Sequence, residues 1–247
     1  MADWLEGRVT RNHQWSERLF SLRIDAPLDT FIPGQFIRVA LDIDGEEVAR
    51  PYSLVNTTGE AELEIFFNIV AEGPLTPRLA RMQPGDAIKV APRSFGFLTI
   101  DQVPECRHLW MLATGTGVGP FLSIIKSEQV WQRFEKIVLG YSVRTADELS
   151  YLDLIKQLQA DNQSRLAFVP FVTREQIPGS INSRITEAIR DDSFEKLAGI
   201  SLNSDDSHVM MCGNSAMITE VSGLLEARGM RKHLRREPGH ITTEKYH

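Results

Sequence analysis

Several short segments hold residue types that could do chemistry together. Ala113-Thr114-Gly115-Thr116-Gly117-Val118-Gly119-Pro120 ends an apolar run and opens a helical pattern. Alternate glycines let backbone approach a bound group closely, and the free amides at a helix start favour an anion. Pro120 suits the first helical position. The spacing is GxGxG, not the GxGxxG dinucleotide fingerprint. A phosphate or a nicotinamide suits such a turn, and so does a tight strand-to-helix connection with no ligand.

Three arginines follow at the ends of later apolar runs. Gly140-Tyr141-Ser142-Val143-Arg144 ends one, Val172-Thr173-Arg174 ends another, and Arg184 closes Ser180-Ile181-Asn182-Ser183-Arg184. A site for NAD favours Asp or Glu here to bond the ribose hydroxyls, whereas arginine suits a 2′-phosphate. Guanidinium binds phosphate through two parallel donors and stays charged at any working pH. Any one of these arginines alone reads as a solvated side chain. Their shared placement at strand ends points to NADP(H) over NAD(H).

Earlier in the chain, Arg50-Pro51-Tyr52-Ser53 ends a β segment. Tyr can stack on a planar group, a Ser hydroxyl can bond a ring nitrogen, and Arg can hold a phosphate. Four such residues also make an ordinary strand edge. Gly73-Pro74-Leu75-Thr76 could present backbone N–H groups to a second phosphate. It reads equally as a plain turn with Thr76 as helix cap.

These segments need elements to position them. From about residue 5 to 100 the sequence alternates, as in Leu19–Ile24, Gln35–Leu41, Glu62–Phe67 and Ala87–Val90. Short strands at this spacing predict an antiparallel barrel or sandwich. A short helix is expected over Thr76–Met82. After Pro104, compact apolar runs at 108–113, 137–141, 166–172 and 208–212 alternate with helical patterns at 119–129, 147–159, 181–190 and 214–228. That order predicts a parallel sheet with helices on its faces. The fold class expected is an all-β antiparallel barrel followed by an α/β open parallel sheet. The boundary falls near 101–107, so residues 1–101 and 102–247 are the expected domains. Ligands of open α/β sheets bind beyond the C-terminal strand ends.

Composition narrows the function. The chain has 247 residues, 42% of them hydrophobic, with Lys+Arg 27 against Asp+Glu 33 and a net charge of −6. These are ordinary globular values without the basic footprint of a nucleic-acid binder. Two cysteines, Cys106 and Cys212, are too few for a four-Cys zinc or iron–sulfur site. No signal peptide and no spanning apolar stretch is visible, so a cytoplasmic, non-membrane protein is expected, with a monomer as the simplest state.

Taken in order, the segments resemble the ferredoxin/flavodoxin-NADP⁺ reductase family in its compact bacterial form. The residues are Arg50-Pro51-Tyr52-Ser53, Gly73-Pro74-Leu75-Thr76, Thr114 through Pro120, and Cys212-Gly213-Asn214 with Met217. The ending, Lys232 through Arg236 and then Pro238-Gly239-His240, fits the same group. Each motif is weak alone; the ordered set spans the whole chain and is specific.

The resemblance implies an FAD-binding barrel, an NADP(H)-binding α/β domain and a C-terminal tail returning to the flavin. Tyr52 would stack on the isoalloxazine, with Ser53 near N5. Arg50, beside Pro51, and the backbone of Pro74, Leu75 and Thr76 would hold the pyrophosphate. Phe66 would be a further FAD-contacting aromatic, and Thr116 would lie where the two cofactors meet. Val143, Arg144, Thr173, Arg174 and Arg184 would form the 2′-phosphate pocket, and Asn214, Ser215 and Ala216 would contact the rest of NADP. Cys212 would help position the nicotinamide, without acting as a nucleophile; its other reading is a small buried filler. Close bacterial members end in Tyr-Trp, with the Trp on the FAD adenine. This chain ends in Glu244-Lys245-Tyr246-His247, so His247 would offer less stacking area and Tyr246 a flavin-side aromatic.

The reaction implied is hydride transfer from NADPH to FAD N5, then two one-electron steps to ferredoxin or flavodoxin, with Ser53 and Glu244 giving hydrogen-bond assistance only. The basic stretch holding Arg231, Lys232, Arg235 and Arg236 reads as a solvated turn or as a docking face for an acidic carrier. Rival readings are an iron–sulfur-linked subunit, for which the cysteines are too few, a free-flavin or ferric reductase, and a flavin-binding sensor with no need of an NADP site.

Overall fold

The computed structural model describes residues 3–246. Six strands form an antiparallel sheet: β1 (Leu5–Gln14), β2 (Leu19–Asp25), β3 (Phe36–Ile43), β4 (Glu46–Ser53), β5 (Leu63–Asn68) and β6 (Ala87–Val90). Their order is β4-β3-β6-β1-β2-β5. The sheet curls into a half-barrel, and a bridge from Leu54 to Ile65 ties the end of β4 to β5. Alternating residues such as Val9, Leu22, Ile24, Ile37, Val39 and Ile65 fill its inside. The β3–β4 hairpin turns on Asp44-Gly45, both left-handed, with φ of 52° and 86°. A two-residue turn of this kind matches the right-handed twist of its strands.

Five parallel strands follow: β7 (His108–Thr114), β8 (Lys136–Val143), β9 (Leu166–Val172), β10 (Ser207–Gly213) and β11 (Ile241–Lys245), in the order β11-β10-β7-β8-β9. The helices are α1 (Thr76–Leu79) in the first part, then α2 (Val118–Ile125), α3 (Glu128–Arg133), α4 (Leu152–Asn162), α5 (Ile185–Arg190), α6 (Ser193–Ala198) and α7 (Ser215–Ala227). The barrel-like sheet followed by an open parallel sheet is the architecture that the two hydrophobic periods predict.

Several local expectations change. The helical pattern at 119–129 breaks at extended Ser127 into α2 and α3. Residues 146–148 form a separate 3₁₀ turn before α4. Ile181 bridges Phe171 as an extra strand contact, so α5 starts only at Ile185. The helix expected over 76–82 is a single turn. Thr76 does not cap it; its hydroxyl accepts the Val70 N–H at 2.8 Å. Pro120 stands third in α2, where its missing N–H still leaves no helix bond unmade.

One apolar cluster joins the two sheets. Leu19, Val55, Phe66, Leu98 and Ile100 pack with Met111, Val118, Phe121, Ile124 and Tyr141. Polar ties cross the same interface. Ser123 Oγ donates to Asn56 O at 2.6 Å, and Lys126 pairs with Glu60 at 2.9 Å. The sheets therefore share a core.

Gly117 shows how tightly the strand ends pack. A Cβ there would lie 2.3 Å from the Cys212 carbonyl oxygen on β10. Both partners are backbone, so neither can swing away. Gly117→Ala should lower stability by about 2 kcal/mol, the usual cost of overpacking, read as a fall of roughly 4–8 °C in Tm.

Candidate functional site

In the parallel sheet, β7, β8 and β9 are laid down outward in one direction, and the chain then crosses back to place β10 on the other side of β7. The strand ends of β7 and β10 are thus the switch point where a crevice must open. Thr114 and Gly213 face each other there. Thr114 Oγ1 accepts the Asn214 N–H at 2.7 Å. Gly213 adopts φ +130°, and a Cβ on it would meet Thr114 Oγ1 at 2.2 Å. Asn214 then caps α7, its side-chain oxygen accepting the Ala216 and Met217 N–H groups.

A cleft of about 650 Å³ lies over these ends. It gathers Thr116, Val143, Arg144, Thr173, Arg174, Arg184, Asn214 and Ala216 from the sequence-derived set, together with Tyr246. Ser215 opens α7 but does not line the cleft. Arg144, Arg174 and Arg184 are exposed and make no ion pair among the described residues. The glycines of the turn divide their tasks. Gly117 is needed for packing, while Gly115, at φ +54°, lines the cleft with open space where a side chain would stand.

Of the residues expected at the flavin, Ser53 and Glu244 meet at Tyr246, which also lines the cleft. Ser53 ends β4, and the Tyr246 hydroxyl donates to its Oγ at 2.9 Å. Ser53 Oγ in turn donates to Glu244 Oε1 at 3.3 Å. Glu244 stands in register with Cys212 on β10. Burial pushes the Glu244 carboxyl up to about 7. Burial likewise pushes the Cys212 thiol up, with the Glu244 charge adding to it, so Cys212 carries its proton at neutral pH. That fits a packing and positioning role and not a nucleophile.

Tyr52 is half-buried, its ring edge-on to Phe67 at 6.0 Å. Arg50 is exposed, on the same side of β4 as Tyr52, and donates to Ala49 O at 2.8 Å. Pro51 is exposed on the opposite side. The turn from Gly73 to Thr76 is pinned by Thr76 and by Arg78, whose Nη1 donates to Pro74 O at 3.0 Å. Among the described residues, the Leu75 and Thr76 N–H groups donate to no protein acceptor. A half-buried ring, a hydroxyl beside a carboxyl, and two free amides suit a flavin and its pyrophosphate.

Phe66 lies on the opposite face of β5 from Phe67. It is buried in the shared core, edge-on to Trp15 at 6.5 Å and to Tyr151 at 5.2 Å. Phe67, one residue on, faces Tyr52. A shift of one residue moves a strand side chain to the opposite face, and two adjacent phenylalanines give the alternation nothing to choose by. His247 lies outside the described residues. Sequence reasoning also missed Arg18, Asn68, Glu148 and Glu220, which line the cleft. No spacing signal marks them. The basic segment with Arg231, Lys232, Arg235 and Arg236 lies beside the start of β11, where Lys232 bridges Ile241. It is therefore a strand length from Glu244 and Tyr246.

Residues 8–93 match the oxidoreductase FAD-binding domain, and residues 111–223 the oxidoreductase NAD-binding domain. The flavodoxin/ferredoxin-NADP reductase of Escherichia coli (strain K12) is 44% identical over 247 residues, covering all of both chains. This chain belongs to the flavodoxin/ferredoxin-NADP reductase family. The ferredoxin-NADP reductase of Pseudomonas aeruginosa is 34% identical over 255 residues, covering 99% of this chain and 98% of that one. A ferredoxin NADP⁺ reductase from Neisseria gonorrhoeae, solved with bound FAD and NADP, superposes with a TM-score of 0.94 at 30% identity, covering 99% of each chain. Family membership makes the protein an oxidoreductase whose cofactors are FAD and NADP(H). No helix of the described residues is long and apolar enough to cross a membrane.

Glu244 gives the site a pH signature. Its folded value is raised above the usual 4.5, so the fold holds a proton that the unfolded chain releases. Its contribution is complete below pH 4.5 and is lost as pH rises toward 7. Urea midpoints should fall over that window, by up to about 3 kcal/mol of stability. Glu244→Gln should lose that part of the slope.

Proposed function

We propose that this chain moves electrons from NADPH to a ferredoxin or flavodoxin, with the cleft arginines selecting the dinucleotide and the Ser53 cluster serving the flavin. The observation that carries the reading is the set of three unpaired arginines around one cleft at the sheet's switch point. A 2′-phosphate is the group that such a set of fork donors binds well.

When bound, FAD would supply the chemistry that links a two-electron hydride donor to a one-electron acceptor. Arg144, Arg174 and Arg184 hold the 2′-phosphate, with Val143 and Thr173 as the walls of its pocket. Thr116, Asn214 and Ala216 hold the middle of the dinucleotide, with Ser215 contributing the first amide of α7. Cys212, protonated and buried, sets the depth to which the nicotinamide enters. Tyr52 and Tyr246 flank the ring system, while Arg50 and the amides of Leu75 and Thr76 hold the pyrophosphate. Ser53 Oγ links Tyr246 to Glu244. With its carboxyl near neutrality, Glu244 can take up or release one proton at Oε1.

Anaerobic stopped-flow of the yellow protein tests the pocket. NADPH should bleach the flavin much faster than NADH. Arg144→Ala or Arg174→Ala should raise the NADPH concentration needed by about tenfold or more, the weight of a charge-assisted bond, and leave NADH unchanged. Equal behaviour toward both dinucleotides would remove the 2′-phosphate pocket. No bleaching by either would favour a flavin-binding sensor.

The basic loop at 231–236 is proposed to steer an acidic carrier by its field, since it lies a strand length from Ser53 and Glu244. Reversing Arg235 and Arg236 to Glu should slow carrier reduction at low ionic strength and spare ferricyanide reduction. The difference should close as salt screens the field. A salt-independent defect, or none, counts against steering.

A further inference from the structure

Tyr151 is a bulky residue in the left-handed region, at φ 61° and ψ 19°, where α4 begins. Such a residue stays there only when its surroundings over-determine it. Its backbone carbonyl starts α4 by accepting the Ile155 N–H at 2.9 Å. Its side chain crosses to the antiparallel sheet, and its hydroxyl donates to Glu64 Oε1 on β5 at 2.7 Å. Both residues are buried. The Glu64 carboxylate has one further ion contact, Arg23 Nε at 3.4 Å. Trp15 packs on the Tyr151 ring, 4.2 Å between centroids. A groove of about 890 Å³ runs beside the pair, lined by Trp15, Glu64, Lys126 and Tyr151. On this flank the Tyr151–Glu64 hydrogen bond and the Trp15 stack join the sheets, together with the Phe66–Tyr151 ring contact and the Lys126–Glu60 ion pair.

The segment before Tyr151 carries the arginine pocket. The Ser150 N–H donates to Glu148 O at 2.8 Å. The Tyr141 hydroxyl donates to the same carbonyl at 3.2 Å. Glu148 Oε2 accepts the Arg144 N–H at 2.9 Å, and Arg144 O accepts the Arg174 N–H at 2.9 Å. Hydrogen bonds and the covalent links between them therefore connect Glu64, through Tyr151, the adjacent Ser150 and Glu148, to the backbones of two of the cleft arginines.

We propose that Tyr151 and Glu64 are a positioning pair that sets the arginine pocket against the antiparallel sheet, so that preference for NADPH over NADH is built partly outside the cleft. The proposal rests on the 2′-phosphate reading of that pocket. Neither residue touches the dinucleotide. Their effect passes through Glu148 to Arg144, and so falls on the phosphate and not on the nicotinamide.

The test uses the FAD-loaded enzyme with ferricyanide as acceptor. Tyr151→Phe and Glu64→Ala should each raise KM for NADPH about fivefold, as expected for one coupled hydrogen bond. The kcat, the FAD content and KM for NADH should stay within about twofold. Glu64→Gln keeps an acceptor for the Tyr151 hydroxyl and should restore most of the NADPH affinity. An unchanged KM for NADPH, an equal rise for both dinucleotides, or loss of FAD would overturn the proposal. Arg144→Ala is the control. If it does not separate NADPH from NADH, the phosphate pocket itself is wrong and the positioning pair falls with it.

Discussion

The apolar cluster shared by the two sheets is the contact on which the site depends. A flavin site on a β-sheet and a dinucleotide site on a parallel sheet are common separately, but electrons pass only if the two are held at a fixed separation. Here no flexible linker separates them. Val55 and Phe66 from one sheet and Val118, Phe121 and Tyr141 from the other bury the same surface. Burial of side chains of this size is worth about 1.5–3 kcal/mol each, enough to make opening of the interface costly. The polar ties at Ser123 and Lys126 then choose one orientation among those the apolar contact allows.

Glycine is the other constraint, and it acts through absence of volume. Gly117 lets the turn after β7 rest on the Cys212 carbonyl, and Gly213 lets β10 turn under Thr114. Both hold the strand ends so close that the crevice between them keeps a definite shape. Only Gly115 faces open space. Within the run that reads in sequence as one ligand-binding loop, Gly117 answers to packing while Gly115 lines the cleft.

Much of the fold was legible because its signals are periodic. Alternation followed by apolar runs with helices between them is a pattern that few folds share, and arginines at strand ends stand out against the acids that would suit another dinucleotide. What stayed hidden lacked a periodic signal. Phe66 and Phe67 are both apolar, so neither declares its face. Glu148 acts through its carboxylate on a backbone N–H four residues back, and charged residues in loops look alike. Tyr151 adopts a conformation that its own preferences oppose, so local propensity reads against it. β11 is only five residues long, with Ile241 its one fully buried side chain, too little to mark as a strand. Strand order, which makes the switch point, is a property of long-range pairing and has no local trace.

The Ser53–Tyr246 hydrogen bond joins positions 193 apart in sequence. Its later partner follows directly on β11, a strand at the edge of its sheet, paired along its length to β10 and at its first residue also bridged by Lys232. Edge elements with few neighbours are the first to open locally. Fraying of these few residues withdraws Glu244 and Tyr246 from Ser53 while every buried strand stays in place. Opening of the Ser53 cluster and loss of the fold are therefore separable events, the first lying at the sheet edge where local opening costs least.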